Sequence, residues 1–167
     1  MLIARGADTI EHPGGTLLDH LGRVAGRLST YGAEPDLVTA GLVHAAYSTD
    51  GFDVALLALE ERDLLRSVVG EYAEDLVYRY AATTRAPFYR QLDQSLIVWT
   101  DRFTQTSITF DASELRPLVE LTVANELDVF LFADSVPDSY AASLLALFTR
   151  ARTVMSEAAW ADVLVTL

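Results

Sequence analysis

Residues 16–49, TLLDHLGRVAGRLSTYGAEPDLVTAGLVHAAYST, decide the fold of this chain. Leu17, Leu21, Val24 and Leu28 recur at offsets of 4, 3 and 4, which is one face of an α-helix. Thr16 stands where a helix cap belongs and Gly32 where a left-handed closing residue belongs, so the helix is predicted to run to about Tyr31. Pro35 or Asp36 opens the next helix. Its run LVTAGLVHAAY, residues 37–47, is apolar almost all round, the mark of a helix enclosed by others and hence of the centre of a bundle. His20 borders the buried face of the first helix, and His44 is the main polar interruption of the second. Gly22 and Gly26 are expected to let another element approach the first helix closely, at some cost in helix propensity.

Outward from this pair, residues 1–10 fit a short helix or an extended arm, and His12-Pro13-Gly14-Gly15 is turn chemistry. Downstream, STDGF ends the second helix, ERDLLRSVVG reads as a helix stopped by Gly70, and EYAEDLVYRYAATTR as another that ends before Pro87. SLIVWTDRFTQTSITF is dominated by β-branched and aromatic residues around a polar middle and reads as a short β-hairpin. Asp111 or Ser113 opens a helix through about Ala133, with Pro117 suggesting that regular helix begins near it. Ser135 or Asp138 caps YAASLLALFTRARTVM, and Ser156 caps EAAWADVLVTL. The expected fold is a mainly α bundle of about seven helices with one short β-hairpin, a single domain over residues 1–167.

Composition narrows the function. A chain of 167 residues, 51% hydrophobic and without an internal Gly/Ser/Pro-rich linker, is one globular domain able to bury its own core. Twelve basic against 24 acidic residues give a net charge of −12, which repels phosphate backbones and anionic lipid and argues against nucleic-acid and membrane partners. The absence of cysteine removes disulfides and thiolate metal sites and fits a reducing interior. No apolar run suits a signal peptide or approaches the ~20 residues of a membrane span, so a soluble cytoplasmic protein is expected. A homodimer is left open.

The three histidines, His12, His20 and His44, all fall in the first 44 residues. Two imidazoles facing one another, with Asn125 and Asp128 behind them on one later helix, form a candidate acid/base site of His20, His44, Asn125 and Asp128. His12 would join it as a substrate contact if its loop folds over the pocket. Tyr47, Ser48 and Thr49 offer hydroxyls for orienting a ligand, and Arg85 a guanidinium for an anionic group, against surface ion pairing for it and its neighbours Arg79 and Arg90. His12, His20 and His44 with Asp128 or water could alternatively supply nitrogen ligands to Zn²⁺ or Fe²⁺. The bland reading makes His20 and His44 hydrogen-bonded core residues. Glu71 and Glu74 read as a solvated helix face, and Trp99, Phe103, Phe110, Phe130 and Phe132 as core. No phosphate loop, serine elbow or dinucleotide fingerprint is present.

The segments HPGGTLLDHL, AGLVHAAYSTDGF, VVGEYAEDLVYRY and ANELD together resemble the HD superfamily of metal-dependent phosphohydrolases. The first-histidine spacing is similar to that of bacterial alarmone hydrolases, and the whole is closer still to small HD-like proteins in which the Asp of the His-Asp doublet is a small residue. The resemblance implies an HD-like helical bundle. It also implies a metal held by a first His, the doublet and a later Asp, positions that look like His20, His44, Ala45 and Asn125 here. Both carboxylates are then gone, and a hard divalent ion wants anionic oxygen. No cofactor is therefore predicted, and phosphate hydrolysis gives way to a small-molecule enzyme of lyase, isomerase or cyclase type. The alternatives are a three-histidine metal hydrolase or oxygenase, and a non-catalytic ligand-binding or dimerisation module.

Overall fold

A computed structural model describes residues 1–94, 96–110, 112–137 and 139–167, with the side chains of residues 112 and 113 outside the description. The N-terminal residues form a 3₁₀ turn at Ile3–Arg5, followed by a minimal hairpin of β1 (Glu11–His12) and β2 (Gly15–Thr16) that turn chemistry alone does not announce. Helix α1 (Leu17–Thr30) starts on a capping box: Thr16 Oγ1 accepts from Asp19 N at 3.2 Å, and Asp19 Oδ2 accepts from Thr16 N at 2.9 Å.

Helix α2 (Pro35–Val43) packs against α1 at Gly41, where a Cβ would stand 2.5 Å from Leu28 Cδ1. The close approach expected at Gly22 and Gly26 therefore falls on the partner helix, since nothing lies within 4 Å of a Cβ at either position. The second helix also stops at Val43, short of the predicted Tyr47. Three competing hydrogen bonds explain this: the His44 ring donates to Gly41 O at 2.8 Å, and Ala46 O is taken by the amides of Leu56 and Leu57, both at 2.9 Å. The chain then turns through Ser48, at φ 64°, and the bridge Thr49–Phe52.

Helices α3 (Arg62–Val69) and α4 (Glu71–Ala82) flank Gly70 as predicted. A short α5 (Arg85–Tyr89) follows, so Pro87 sits in the first turn of a further helix rather than beyond the last one, a place where its missing N–H costs nothing. The hairpin pairs β3 (Ile97–Thr100) with β4 (Ser107–Phe110), in register from Ile97 opposite Phe110 to Thr100 opposite Ser107. Helix α6 (Ala112–Phe132) begins before Pro117 and carries it inside. Helix α7 (Ser139–Arg150) starts too late for Ser135 to cap it, and the caps proposed at Asp111 and Asp138 lie outside the described residues. A 3₁₀ turn at Arg152–Val154 leads to α8 (Glu157–Thr166), whose cap Ser156 Oγ accepts from Ala159 N.

Among the described residues the chain is thus mainly α, with eight α-helices and two small hairpins. The long α6 threads the bundle, touching α1, α2, α4, α7 and α8, while α2 is wrapped by α1, α3, α4 and α6. Trp99 and Phe110 are core and stack at 5.5 Å. Phe132, expected in the core, is instead 41% exposed and lies under the Arg23 guanidinium at 4.1 Å. Glu74 departs most sharply from the expected solvated face. It is fully buried, held by Arg62 at 2.6 Å, Arg66 at 3.0 Å and Tyr47 Oη at 3.0 Å. No helix among the described residues is long and apolar enough to cross a membrane.

Candidate functional site

A cavity of about 220 Å³ lies where the β1–β2 hairpin, α1, the end of α2, the following loop, α5, α6 and α7 meet. Its polar lining comes from His12, His20, His44, Thr49, Arg85, Asn125, Glu126 and Tyr140, with Phe52 and Leu17 among the apolar walls. His20 and His44, 1% and 2% exposed, form the buried side of the cavity.

His20 reaches the cavity from the buried face of α1. Its Nδ1 lies 2.6 Å from Asp128 Oδ2, and Asp128 is gripped from the far side by Arg23, with Nε 2.7 Å from Oδ1 and Nη2 3.0 Å from Oδ2. Burial pushes the Asp128 carboxyl up, but hydrogen bonds from His20 and Arg23 outweigh it and hold the group below its ordinary range. The other ring nitrogen, Nε2, faces Asn125 Oδ1 at 3.2 Å. An amide oxygen only accepts, so this arrangement suits a ring that donates from both nitrogens; a half-turn of the Asn125 amide would suit the neutral ring. Such a turn would set Oδ1 against Glu126 Oε1, which accepts from Nδ2 at 3.4 Å, so the amide is held as it stands.

His44 is fixed differently. A carbonyl only accepts, so its bond to Gly41 O places the proton on Nδ1 and leaves a lone pair on Nε2. Burial first, and then the charge of His20, push its pKa down to about 3. Its ring meets His20 edge-on at 5.2 Å. His12 lies over the opposite side of His20, stacked at 4.0 Å with 27° between the planes, and burial followed by the His20 charge lowers it to about 4. The hairpin that carries His12 is tied to the same cluster, because Arg23 also donates to Pro13 O at 2.8 Å and Gly14 O at 3.2 Å. Gly14 sits at φ 77° directly against Phe132, where any Cβ would fall 2.6 Å from the ring.

The far wall is a charged network that the sequence pattern does not single out. Glu126, 5% exposed, pairs with Arg85 Nη1 at 3.0 Å and accepts from Tyr140 Oη at 2.7 Å, Tyr89 Oη at 3.3 Å and Asn125 Nδ2 at 3.4 Å. Arg85 is set in place by its own amide, which donates to Asp50 Oδ2 at 2.7 Å. Beside it, burial pushes the Tyr80 hydroxyl up to about 12, and the Arg85 charge opposes this. A signal for Glu126 does exist in ANELD, where it stands between Asn125 and Asp128 in an otherwise apolar run. Tyr140 carries no comparable signal.

Of the residues singled out from sequence, His12, His20, His44, Thr49, Arg85 and Asn125 share this cavity, and Asp128 stands directly behind His20. Tyr47 and Ser48 do not. The Tyr47 hydroxyl is committed to Glu74, and Ser48 Oγ accepts from Arg102 Nη2 at 2.8 Å. Arg79 pairs with Asp75 and Glu114 on the surface. Both oxygens of Asp128, the carboxylate that would complete a three-histidine metal set, are engaged by Arg23 and His20. At the positions that resemble an HD metal centre, Ala45 offers no donor and Asn125 only a neutral oxygen. Among the described residues no three His, Asp or Glu side chains form a group able to hold an ion.

No curated protein and no solved structure matches the chain. A family described as Domain of unknown function (DUF6817) matches residues 1–85, which covers His12, His20, His44 and Arg85 and stops before the α6 residues of the site. The chain belongs to this DUF6817 family.

Proposed function

We propose that this domain is a small-molecule enzyme that moves protons between its substrate and a histidine-centred pocket, in a step of lyase, isomerase or cyclase type. The scaffold, on this reading, is an HD-like bundle that no longer holds the metal of its relatives. One observation carries the reading: His20 and His44 meet at one cavity with different hydrogen-bond partners, side-chain acceptors on both nitrogens of the first and a backbone carbonyl on Nδ1 of the second. His20 has a carboxylate on one nitrogen and an amide oxygen on the other, two acceptors that its ring N–H groups can meet. His44 carries its proton on Nδ1, toward the Gly41 carbonyl, and presents Nε2 as the acceptor of the pair. The proton taken by His44 and the proton given by His20 balance, so the substrate rearranges or eliminates without redox change. Asp128 and Arg23 orient His20, and Asn125 meets its other ring nitrogen.

The test works with an unidentified substrate. Purified protein is incubated with pooled small metabolites in D₂O, and mass spectrometry looks for a compound that gains deuterium or changes structure. The expected result is exchange or conversion of a specific compound by the wild type and none by His20→Gln. Compounds that raise the melting temperature but are neither exchanged nor converted would sink the enzymatic reading and leave a non-catalytic binding module.

A further inference from the structure

Arg23 holds two structures at once. Through Nε and Nη2 it grips both oxygens of Asp128, the carboxylate on His20 Nδ1, and through Nη2 and Nη1 it donates to the carbonyls of Pro13 and Gly14 at the tip of the β1–β2 hairpin. Phe132 fixes the plane of this fork, lying under the guanidinium at 4.1 Å and against Gly14. The N–H groups of a guanidinium stand in a rigid planar fork, so it cannot turn toward one set of partners without leaving the other.

The hairpin tip is otherwise lightly held. Among the described residues the hairpin pairs with no other strand, and two short strands alone are marginal. Its base is pinned, with Leu17 N donating to Ile10 O at 2.8 Å and Leu18 N to Ala7 O at 2.9 Å, so the tip is the part that can swing. The closed position leaves His12 Nδ1 sealed from solvent with no hydrogen-bond partner among the described residues, and lifting the tip returns it to water. Closed, the hairpin also shuts His20 in. His12 covers one face at 4.0 Å between ring centroids, a van der Waals contact with no space for a ligand between. Asp128 and Asn125 take the two ring nitrogens and His44 meets the ring edge-on. Of these four side chains, His12 alone rides on so slight an element. Resting on the acid/base reading of the cavity, we propose that residues 11–16 are a lid over His20 and that Arg23 is its latch, a positioning residue coupling closure of the hairpin to the setting of the His20–Asp128 pair. The coupling runs both ways. A lifted tip takes two carbonyls from the fork and loosens its grip on Asp128, and a weakened Asp128 loosens the fork and with it the tip.

The test needs no substrate. Solvent exchange of the Glu11, His12, Gly14 and Gly15 amides is followed by NMR in the ¹⁵N-labelled full chain, and mass spectrometry maps how fast diethyl pyrocarbonate modifies each histidine. Asp128 bonds to Arg23 and His20 rather than to the hairpin, yet Asp128→Asn should speed exchange at the tip by about fivefold or more, the lower end of what linked sites show. Arg23→Lys keeps the charge but loses the fork and should do the same. From the other side, Gly14→Ala forces a Cβ against Phe132 and should speed modification of His20 by a similar factor. In the wild type, His20 modification should not respond to urea below the unfolding transition, the mark of a local opening. Tip exchange that is unchanged in folded Asp128→Asn and Arg23→Lys proteins overturns the latch. Modification of His20 that rises only in step with global unfolding overturns the lid. A lid and latch found in a protein that converts no metabolite would leave this inference standing without the enzymatic reading, and conversion without the coupling would do the reverse.

Discussion

At His20 the chemistry of the site is set by what each ring nitrogen faces. Asp128 is the partner that brings a formal charge, and it is itself neutralised by Arg23, so the carboxylate orients the ring without leaving an isolated buried anion. Asp128→Asn keeps the shape and removes the charge. It should lower turnover by about 10²- to 10⁴-fold, the usual worth of a positioned acid or base, in the assay that D₂O exchange provides. A loss of turnover with little change in melting temperature is the outcome that separates positioning from packing. His20→Gln and His44→Gln should each abolish exchange, with the double variant losing little more than either, because groups acting as a unit are non-additive. If both histidines were only architecture, each single variant would instead lower stability by about 1–3 kcal/mol through the stranded partner. Losses that simply add in the double variant would also speak against a shared site.

At the scale of elements, the α1–α2 pair decides where both histidines stand, and Gly41 is its closest point. Gly41→Ala would drive a methyl against Leu28 Cδ1 at 2.5 Å, with Ala25 Cα 3.4 Å away, and should cost about 1–3 kcal/mol as an overpacked contact. Gly22→Ala and Gly26→Ala meet nothing within 4 Å and should each stabilise by about 0.5–1 kcal/mol through helix propensity. Urea unfolding of the three variants checks both signs at once, and a stabilised Gly41→Ala would show that α1 and α2 can part there without cost. Sequence pattern alone assigns this contact to the wrong helix for a physical reason: a glycine tells that a Cβ is absent, and only the partner's position tells whether anything fills the gap. Caps and alternation are legible because their partners are local, as with Thr16 and Asp19, Ser156 and Ala159, and the paired runs LIVW and SITF. The end of α2 is not, because Leu56 and Leu57 take the Ala46 carbonyl from ten and eleven residues away. The same limit hides Glu74, whose partners Arg62, Arg66 and Tyr47 lie on other elements, and Glu126, whose partners come from α5 and α7.

For the whole molecule, these buried groups make stability depend on pH in a way that the net charge of −12 does not foretell. Glu74 and Asp128 resist burial but are held below their ordinary values by their arginine partners and by Tyr47 and His20, so their contribution is present above the unfolded carboxyl range and lost as pH falls below about 4. His12 and His44 act at higher pH. Their folded pKa values, about 4 and about 3, lie below the 6.5 of the unfolded chain, so between these values the unfolded state binds protons that the folded state refuses. Stability therefore rises with pH across this window and is lost as pH falls from 6.5 toward 4, by up to about 1.4 kcal/mol per pH unit for the buried His44 once the slope is developed and by less for the half-buried, solvent-screened His12. Surface carboxylates have the opposite sign, since their protonation relieves self-repulsion, but they titrate below the upper part of this window. Urea unfolding at pH 7.5, 6 and 5 isolates the histidine part. The wild type should weaken steadily over this range, and His44→Gln, whose amide can still donate to the Gly41 carbonyl, should show a slope smaller by about one proton. A wild type equally stable at pH 7.5 and pH 5 would mean that His12 and His44 take up protons in the folded state as readily as in the unfolded chain, and the linkage argued from their burial would fall.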